Sequence, residues 1–465
     1  MRDLKYKSLS LDPIHGYIPF TSSEGLPEGE VSERQVVDHP WVQRLRQIHQ
    51  LQTAWWVFPA AEHTRFQHVL GAMHLSSRVV DRLFPSLQEV CPDVPSRGYV
   101  ETLMRMAALL HDVGHGPFGH FFDQFYLADH GLTHETLGAE IIRRELGDLL
   151  RHVRRNPNGA LEGHETLDPE QITLLISRPR SDGPNIPQWL RFLRSLFSGL
   201  YTVDNMDFVL RDAYMSGYST RAFDLDRLLY YSWFSPRGLT IHDRGLAALV
   251  RFIAVRAELF RAIYFHRTVR SIDLLLEDLF AEGKQFLFPG NPLEHLREYQ
   301  RLTEWSLLEK VTGWAESDDA RLRSLGEPWQ RFLRREVRWK MACERETFFL
   351  PGEAEETSIF SDEELFEKAV RRLLPPELRG LPLRFDLRRH VHRPGARAPA
   401  SGQNFLYDSA TGRIRSLDDR ELFRQIPLSY RICRIYAESD EHNAELAAAM
   451  DQLTGGGTAD DLTNM

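Results

Sequence analysis

The sequence predicts a mainly α protein, with a large helical domain and a smaller α+β C-terminal region. Three observations carry that expectation. Apolar residues recur at helical spacing through most of residues 41–345. Strand-like alternation is concentrated later, at Leu381–Arg388 and Leu428–Tyr436. No repeat of 20–50 residues is present, which excludes solenoids and propellers. The expected divisions are an extended segment (1–40), the helical domain (41–345), the α+β region (346–454) and a disordered tail (455–465).

Composition narrows the class. Of 465 residues, 42% are hydrophobic, enough for a sizeable core. Lys and Arg total 57 against 66 Asp and Glu, a net charge of −9. That balance argues against a sequence-independent nucleic-acid coat but leaves room for a local Arg-lined phosphate pocket. Cys91, Cys343 and Cys433 are far apart, so there is neither a disulfide framework nor a zinc knuckle. The start, Met-Arg-Asp-Leu-Lys, lacks a signal-peptide core, and no apolar run reaches membrane-spanning length. A cytoplasmic protein without a membrane partner is expected.

The elements follow in order. Asp12-Pro13-Ile14-His15-Gly16 reads as a turn between two short extended pieces, with His15 a turn residue rather than a ligand. From Pro40, Val42, Leu45 and Ile48 share a helix face. The connector Trp55–Phe58 leads to His63-Thr64-Arg65-Phe66-Gln67-His68 and a second helix, ended by a loop at Pro85–Gly98. Tyr99–Leu110 is apolar almost all round and should be buried. Helices are expected at Phe121–Asp129, at His134–Leu149 behind an N-capping Thr133, at Pro169–Ile176, at Pro187–Leu200 and across 201–212. Leu239–Asp243 reads as a strand and Gly245–Phe280 as the longest helical pattern. An acidic segment spans Phe348–Ser361, and Arg379–Ser401 is rich in Arg and Pro. Asn404–Asp408 and Arg413–Leu417 flank a turn at Ala410-Thr411-Gly412.

The chemistry concentrates in His111-Asp112-Val113-Gly114-His115-Gly116-Pro117-Phe118-Gly119-His120. Three imidazoles and a carboxylate directly after a buried helix suit a divalent ion or a phosphate better than a surface loop. His111 and Asp112 are about 100° apart on a straight helix, so they share an ion only near its broken end. Further donors must come from other helices, and periodicity does not select His68 and Asp204 from 19 histidines and many carboxylates.

His68, His111-Asp112 and Asp204 together resemble the metal tetrad of the HD-domain phosphohydrolases. The order of Asp12-Pro13-Ile14-His15-Gly16, Gln43-Arg44-Leu45-Arg46, Val57-Phe58-Pro59, Arg65-Phe66-Gln67-His68, His115-Gly116-Pro117-Phe118-Gly119-His120 and Thr133-His134-Glu135 is similar to that of the deoxynucleoside triphosphate triphosphohydrolase branch. That branch includes bacterial dNTPases and the SAM-and-HD-domain enzyme of animals. The resemblance runs from about Leu11 to about Phe280.

It implies an HD-domain helical core in which His68, His111, Asp112 and Asp204 hold a divalent ion (Mg, Mn, Fe or Zn). Water would attack the α-phosphorus of a dNTP, releasing nucleoside and triphosphate. The ion would polarise a phosphoryl oxygen and acidify water. His115, Asp123 and His134 would serve the phosphates, with His134 the acid and Asp123 orienting an imidazole. His120 would give support or touch substrate. Arg65 and Arg256 would contact phosphates, while Gln50, Leu51, Asp212 and Tyr264 would line sugar and base. Asp38, Arg46 and Gln50 sit where relatives place a nucleotide activator, although Ser8 stands where a basic residue is expected. Homo-oligomers are implied as well.

Two positions depart from the pattern. Asn205 replaces a usual Arg or Lys after the metal Asp, and Phe208 replaces a usual Tyr. A lost charged hydrogen bond costs on the order of 1.5–3 kcal/mol, so the phosphate grip is altered or another Arg (Arg211, Arg261 or Arg267) compensates. This keeps two other readings open: a phosphodiesterase, phosphomonoesterase or nuclease at the same ion, and a non-catalytic nucleotide sensor. Two relatives are set aside. Gly114-His115 stands where stringent-response hydrolases carry Glu-Asp, and Gly16-Tyr17-Ile18 is not the Gly-Tyr-Pro of the cyclic-dinucleotide branch.

Overall fold

An antiparallel hairpin opens the described chain, with β1 (Lys7–Asp12) and β2 (Gly16–Thr21) paired across the Asp12–Gly16 turn. The computed structural model describes residues 6–177, 186–349, 360, 362–391, 404–417 and 429–453. The expected tail at 455–465 lies outside the described residues. So do most of the acidic segment after Phe349 and the 392–401 part of the Arg- and Pro-rich run. The chain forms two units: Met1–Leu259 with Lys284–Lys310 and Pro399–Arg420, and Phe260–Gly283 with Val311–Ala398 and Glu421–Met465.

The first unit is helical, as the periodicity predicts. Its principal helices are α1 (Glu33–Val37), α2 (Arg65–Val90), α3 (Arg97–Leu110), α4 (His120–Phe125), α5 (His134–Ile141), α6 (Val203–Met215) and α7 (Leu246–Leu259). α3 is central: Leu103, Met104, Met106, Ala107, Leu109 and Leu110 have no solvent exposure. α2 packs along it and also against α6. The two helices that deliver His68 and His111 therefore lie side by side through apolar contact.

Several boundaries differ from expectation, and two of them concern the longest helical runs. α2 does not stop before Pro85 but continues to Val90. A proline inside a helix costs about 3 kcal/mol through its missing N–H, and here buried Leu83, Phe84 and Leu87 offset that cost. The run Gly245–Phe280 is not one helix. α7 is followed by a π-helical turn at Phe260–Tyr264, where the Phe265 N–H reaches the Phe260 carbonyl at 2.7 Å. The next helix, Arg267–Leu287, begins where His266 Nδ1 accepts from the Thr268 N–H.

The expected strand near Leu239 is Gly238–His242, antiparallel to Ser232–Ser235. The hairpin of Phe405–Asp408 and Arg413–Ser416 joins this sheet of the first unit, because Phe405–Tyr407 pairs in parallel with Thr240–His242. In the second unit, Ser429–Ala437 lies between Lys340–Phe349 and Leu383–Val391, antiparallel to both. Helices Glu363–Leu373 and Asn443–Leu453 contribute Phe366, Val370, Leu446 and Met450 to the core beneath that sheet. Among the described residues, no helix is long and apolar enough to cross a membrane.

A buried ion pair joins the hairpin to the helical core. Arg105 of α3 donates to both carboxylate oxygens of Glu33 at 2.6 and 2.8 Å, to Ser77 Oγ on α2 and to the Pro19 carbonyl on β2. Neither charged side chain is exposed. Breaking such a pair leaves an uncompensated buried charge, so Glu33→Gln should lower stability by about 3–5 kcal/mol. Denaturant unfolding measures this; a loss under about 1 kcal/mol would show that water compensates the pair.

A candidate metal centre beside a histidine cluster

The helix break expected after Leu110 is present, and it positions the site. α3 ends at Leu110, and His111 is its C-capping residue. The carbonyls of the following turn are gripped from outside. Arg44 donates to those of Val113 and His115, while the Tyr299 hydroxyl donates to that of Gly114. Gly114 is required here: a Cβ would lie 2.0 Å from the His134 carbonyl oxygen, so only glycine lets the start of α5 come this close. Phe118 has a left-handed backbone (φ +61°), and its N–H is accepted by Glu304 Oε1 at 3.0 Å.

Four predicted ligands converge. His68 Nε2 lies 3.2 Å from His111 Nε2 and 3.1 Å from Asp204 Oδ1. His111 Nε2 is 3.3 Å from Asp112 Oδ1 and 3.6 Å from Asp204 Oδ1. The other ring nitrogens are occupied: His68 Nδ1 donates to Asp207 at 2.8 Å, and His111 Nδ1 to the Ala108 carbonyl at 2.8 Å. In the neutral rings both Nε2 atoms therefore carry lone pairs. They face each other and two carboxylate oxygens, an arrangement that a cation satisfies. Burial opposes protonation of His68, yet Asp204 and Asp207 outweigh it and push its pKa up to about 10. The same negative field favours a cation between these groups. The donors, two imidazoles and two carboxylates, suit a divalent metal ion, and His68, His111 and Asp112 form a group able to hold one.

Beside this centre stand His115, His120, Asp123 and His134. Asp123 Oδ2 pairs with His134 Nδ1, and the His115 and His134 rings stack with centroids 3.8 Å apart. His115 is buried with neither ring nitrogen hydrogen-bonded among the described residues. Burial, then Arg65 and His134, hold its pKa well below the ordinary imidazole value, so the ring is neutral. His120 is 71% exposed, with Nδ1 3.5 Å from Asp123 Oδ2. Arg65 donates to Asp112 Oδ2 at 2.8 Å, leaving Oδ1 directed to the metal centre. Burial works against ionised Asp112, but His111, Arg65 and His115 hold its pKa well below the usual carboxylate range.

The remaining predicted residues are more dispersed. Asp212 Oδ1 accepts from His63 Nε2 at 2.7 Å, and the Gln50 N–H reaches the His63 carbonyl. Gln50 Oε1 is buried with no hydrogen-bond partner among the described residues, and Leu51 is buried nearby in the chain. Asn205 and Phe208 are half-buried on α6, where the Asn205 backbone N–H is capped by Thr202 Oγ1. Arg256 is buried on α7 and donates to the Leu200 carbonyl; burial, opposed by Asp204, lowers its pKa to about 10. Tyr264 lies in the second unit, in the π-helical turn, edge-on to Phe260. Asp38 lines a cavity of about 430 Å³ with Lys7, Ser8, Ser22, Ser23, Glu24 and Arg34. Arg46 is not among those lining residues. It lies over the Phe66 ring and bonds Gln43.

Three polar residues have partners that the sequence reading did not assign. His15, read as a turn residue, does sit in the turn, but its side chain is buried and bonds Asp207 at 2.6 Å. His63 orients Asp212, and Glu304 fixes His49 and the Phe118 backbone. The i, i+3, i+7 spacing of Asp204, Asp207 and Arg211 was a local signal for the first of these networks. Nothing local signals Glu304, whose partners are 186 and 255 residues away.

Comparison with known proteins identifies what the chain is similar to. Residues 65–176 match the model of the HD domain. An uncharacterized Bacillus subtilis protein, YwfO, is 29% identical over 344 residues, covering 67% of this chain and 72% of its own. The Dictyostelium discoideum deoxynucleoside triphosphate triphosphohydrolase SAMHD1 homolog is 28% identical, covering 59% of this chain and 51% of its own. Human SAMHD1, named for the same activity, is 27% identical over 64% of this chain. The chain spans about half the length of these SAMHD1 relatives, 51% and 50%. In fold, a hypothetical protein from Aquifex aeolicus matches 96% of this chain and all of its own, with TM-score 0.67 at 22% identity. Residues 65–176 carry an HD domain, and the chain is similar in sequence to phosphohydrolases of the SAMHD1 kind.

Proposed function

We propose that this phosphohydrolase cleaves deoxynucleoside triphosphates to deoxynucleoside and inorganic triphosphate. The observation that carries the reading is the convergence of His68, His111, Asp112 and Asp204 beside a neutral, unbonded His115. The similarity to relatives named as triphosphohydrolases supports the substrate class.

A divalent ion held by His68, His111, Asp112 and Asp204 would supply Lewis acidity toward a phosphoryl oxygen. The protein's own residues do the rest. Asp123 fixes the His134 ring through Nδ1, and His134 delivers a proton to the departing 5′ oxygen. His115 presents a ring nitrogen to the phosphates, with His120 at the exposed side. Arg65 and Arg256 add positive charge, which a triphosphate needs in a chain of net charge −9. Asp212, held by His63, accepts from the sugar hydroxyl, and Gln50 and Leu51 complete that wall. Homo-oligomeric assembly, a cytoplasmic setting and a nucleotide activator near Asp38 belong to the same proposal. Lys7, beside Ser8, brings a cation to that cavity.

Incubating the metal-loaded chain with each dNTP should yield nucleoside and triphosphate, with and without a second nucleotide as activator. His111→Ala should abolish both turnover and the metal-dependent rise in melting temperature. Release of monophosphate or pyrophosphate instead, or no turnover of any dNTP, would defeat the reading. Asn205 and Phe208 favour a second one, a phosphodiester or single-stranded nucleic-acid substrate at the same ion. Nuclease activity that survives excess dNTP but not His111→Ala would select it.

The departures give a further prediction. Asn205→Lys with Phe208→Tyr should restore a cation and a hydroxyl, lowering KM for the triphosphate about tenfold or more. Steady-state kinetics with an unchanged KM would show that other arginines already fill those roles.

A further inference from the structure

We propose that His15 is a positioning residue of the metal centre, acting on the ligand His68 through Asp207. The turn between β1 and β2 is thereby a working part of the ion site rather than a connector.

The geometry is continuous from turn to ligand. Asp12 Oδ1 accepts the N–H groups of Ile14 and His15, both at 2.9 Å, which sets the turn. His15 Nε2 then bonds Asp207 Oδ1 at 2.6 Å. Arg211 donates twice to Asp207, at 2.9 and 3.0 Å, and once to Asp12 Oδ2 at 2.7 Å. Asp207 Oδ2 finally accepts His68 Nδ1 at 2.8 Å. Asp207 has no solvent exposure, and its partners supply four hydrogen bonds, as many as a carboxylate accommodates. Its orientation is thus fully determined by neighbours. Gly71, one turn along α2 from His68, makes room for it: a Cβ there would lie 2.0 Å from Asp207 Oδ1 and 2.2 Å from the Arg211 guanidinium.

A carboxylate behind a ligating histidine fixes its tautomer and raises its basicity, and disturbing it typically costs about 10–100-fold in metal affinity. Without the His15 N–H, Asp207 Oδ1 keeps only its bond from Arg211, and the carboxylate that holds His68 Nδ1 is no longer fixed by both oxygens. The sequence distance is large, 192 residues from His15 to Asp207, so the tie exists only in the folded chain.

Mn2+ titration of the chelator-stripped full chain, read from the electron spin resonance of free Mn2+, tests this. His15→Ala should weaken Mn2+ binding about tenfold or more. His15→Gln, whose amide N–H reaches as far as imidazole Nε2, should bind within about threefold of the parent. His15→Asn, shorter by one methylene, should behave as His15→Ala and keeps the pair informative if the alanine variant does not fold. Melting of the metal-free proteins provides the structural control. Parental affinity in His15→Ala or His15→Asn would overturn the proposal, and so would an equal loss in Gln and Asn. Mn2+ binding is read without substrate, so a chain that hydrolyses no dNTP would leave the result standing.

Discussion

Asp207 is the constraint on which the site depends. A carboxylate with no solvent exposure is costly unless every lone pair is met, and here His15, His68 and Arg211 meet them. Those partners come from the hairpin turn, from α2 and from α6 itself. Satisfying one buried charge therefore aligns three elements and turns His68 so that Nε2 faces His111 and Asp204. The neighbouring Arg105–Glu33 pair repeats the device, tying β2, α1, α2 and α3 through a second unexposed charge. Apolar packing brings α2 and α3 together, and these charges fix their register.

Electrostatics then divides the site into two halves. Around His68 and His111, nearby carboxylates outweigh burial and favour the protonated rings: Asp204 and Asp207 at His68, Asp112 and Asp204 at His111. On the other side, burial with Arg65 and His134 keeps His115 neutral. Only a few ångströms separate these behaviours, since His115 Nε2 is 3.4 Å from Asp112 Oδ1. A cation on the carboxylate side and a neutral, stacked imidazole on the other suit hydrolysis of an anionic phosphoester.

Much of this was legible in the chain. The helix break at Gly114–Pro117, the N-cap at Thr133 and the buried run of α3 follow from local propensity and periodicity. Pro85 misled, because propensity is local while the burial of Leu83, Phe84 and Leu87 is not. The hairpin at Phe405–Ser416 was visible as a hairpin, but its parallel partner at Thr240–His242 was not, since parallel pairing carries no turn signal. His15 looked like a turn residue because its local context is a turn.

By itself the sequence determined which residue types could serve as ligands, the helix that ends at His111 and, through motif order, the resemblance to the HD-domain phosphohydrolases. Those features are set by residue identity and short-range spacing. Only the tertiary structure decided that His68 and Asp204 meet His111, that Asp123 pairs with His134, and that His15 and Arg211 hold Asp207. The physical reason is that a metal site and a buried charge are satisfied by direction and distance. Residues as far apart as His15 and Asp207 acquire those only when the apolar core has closed around them.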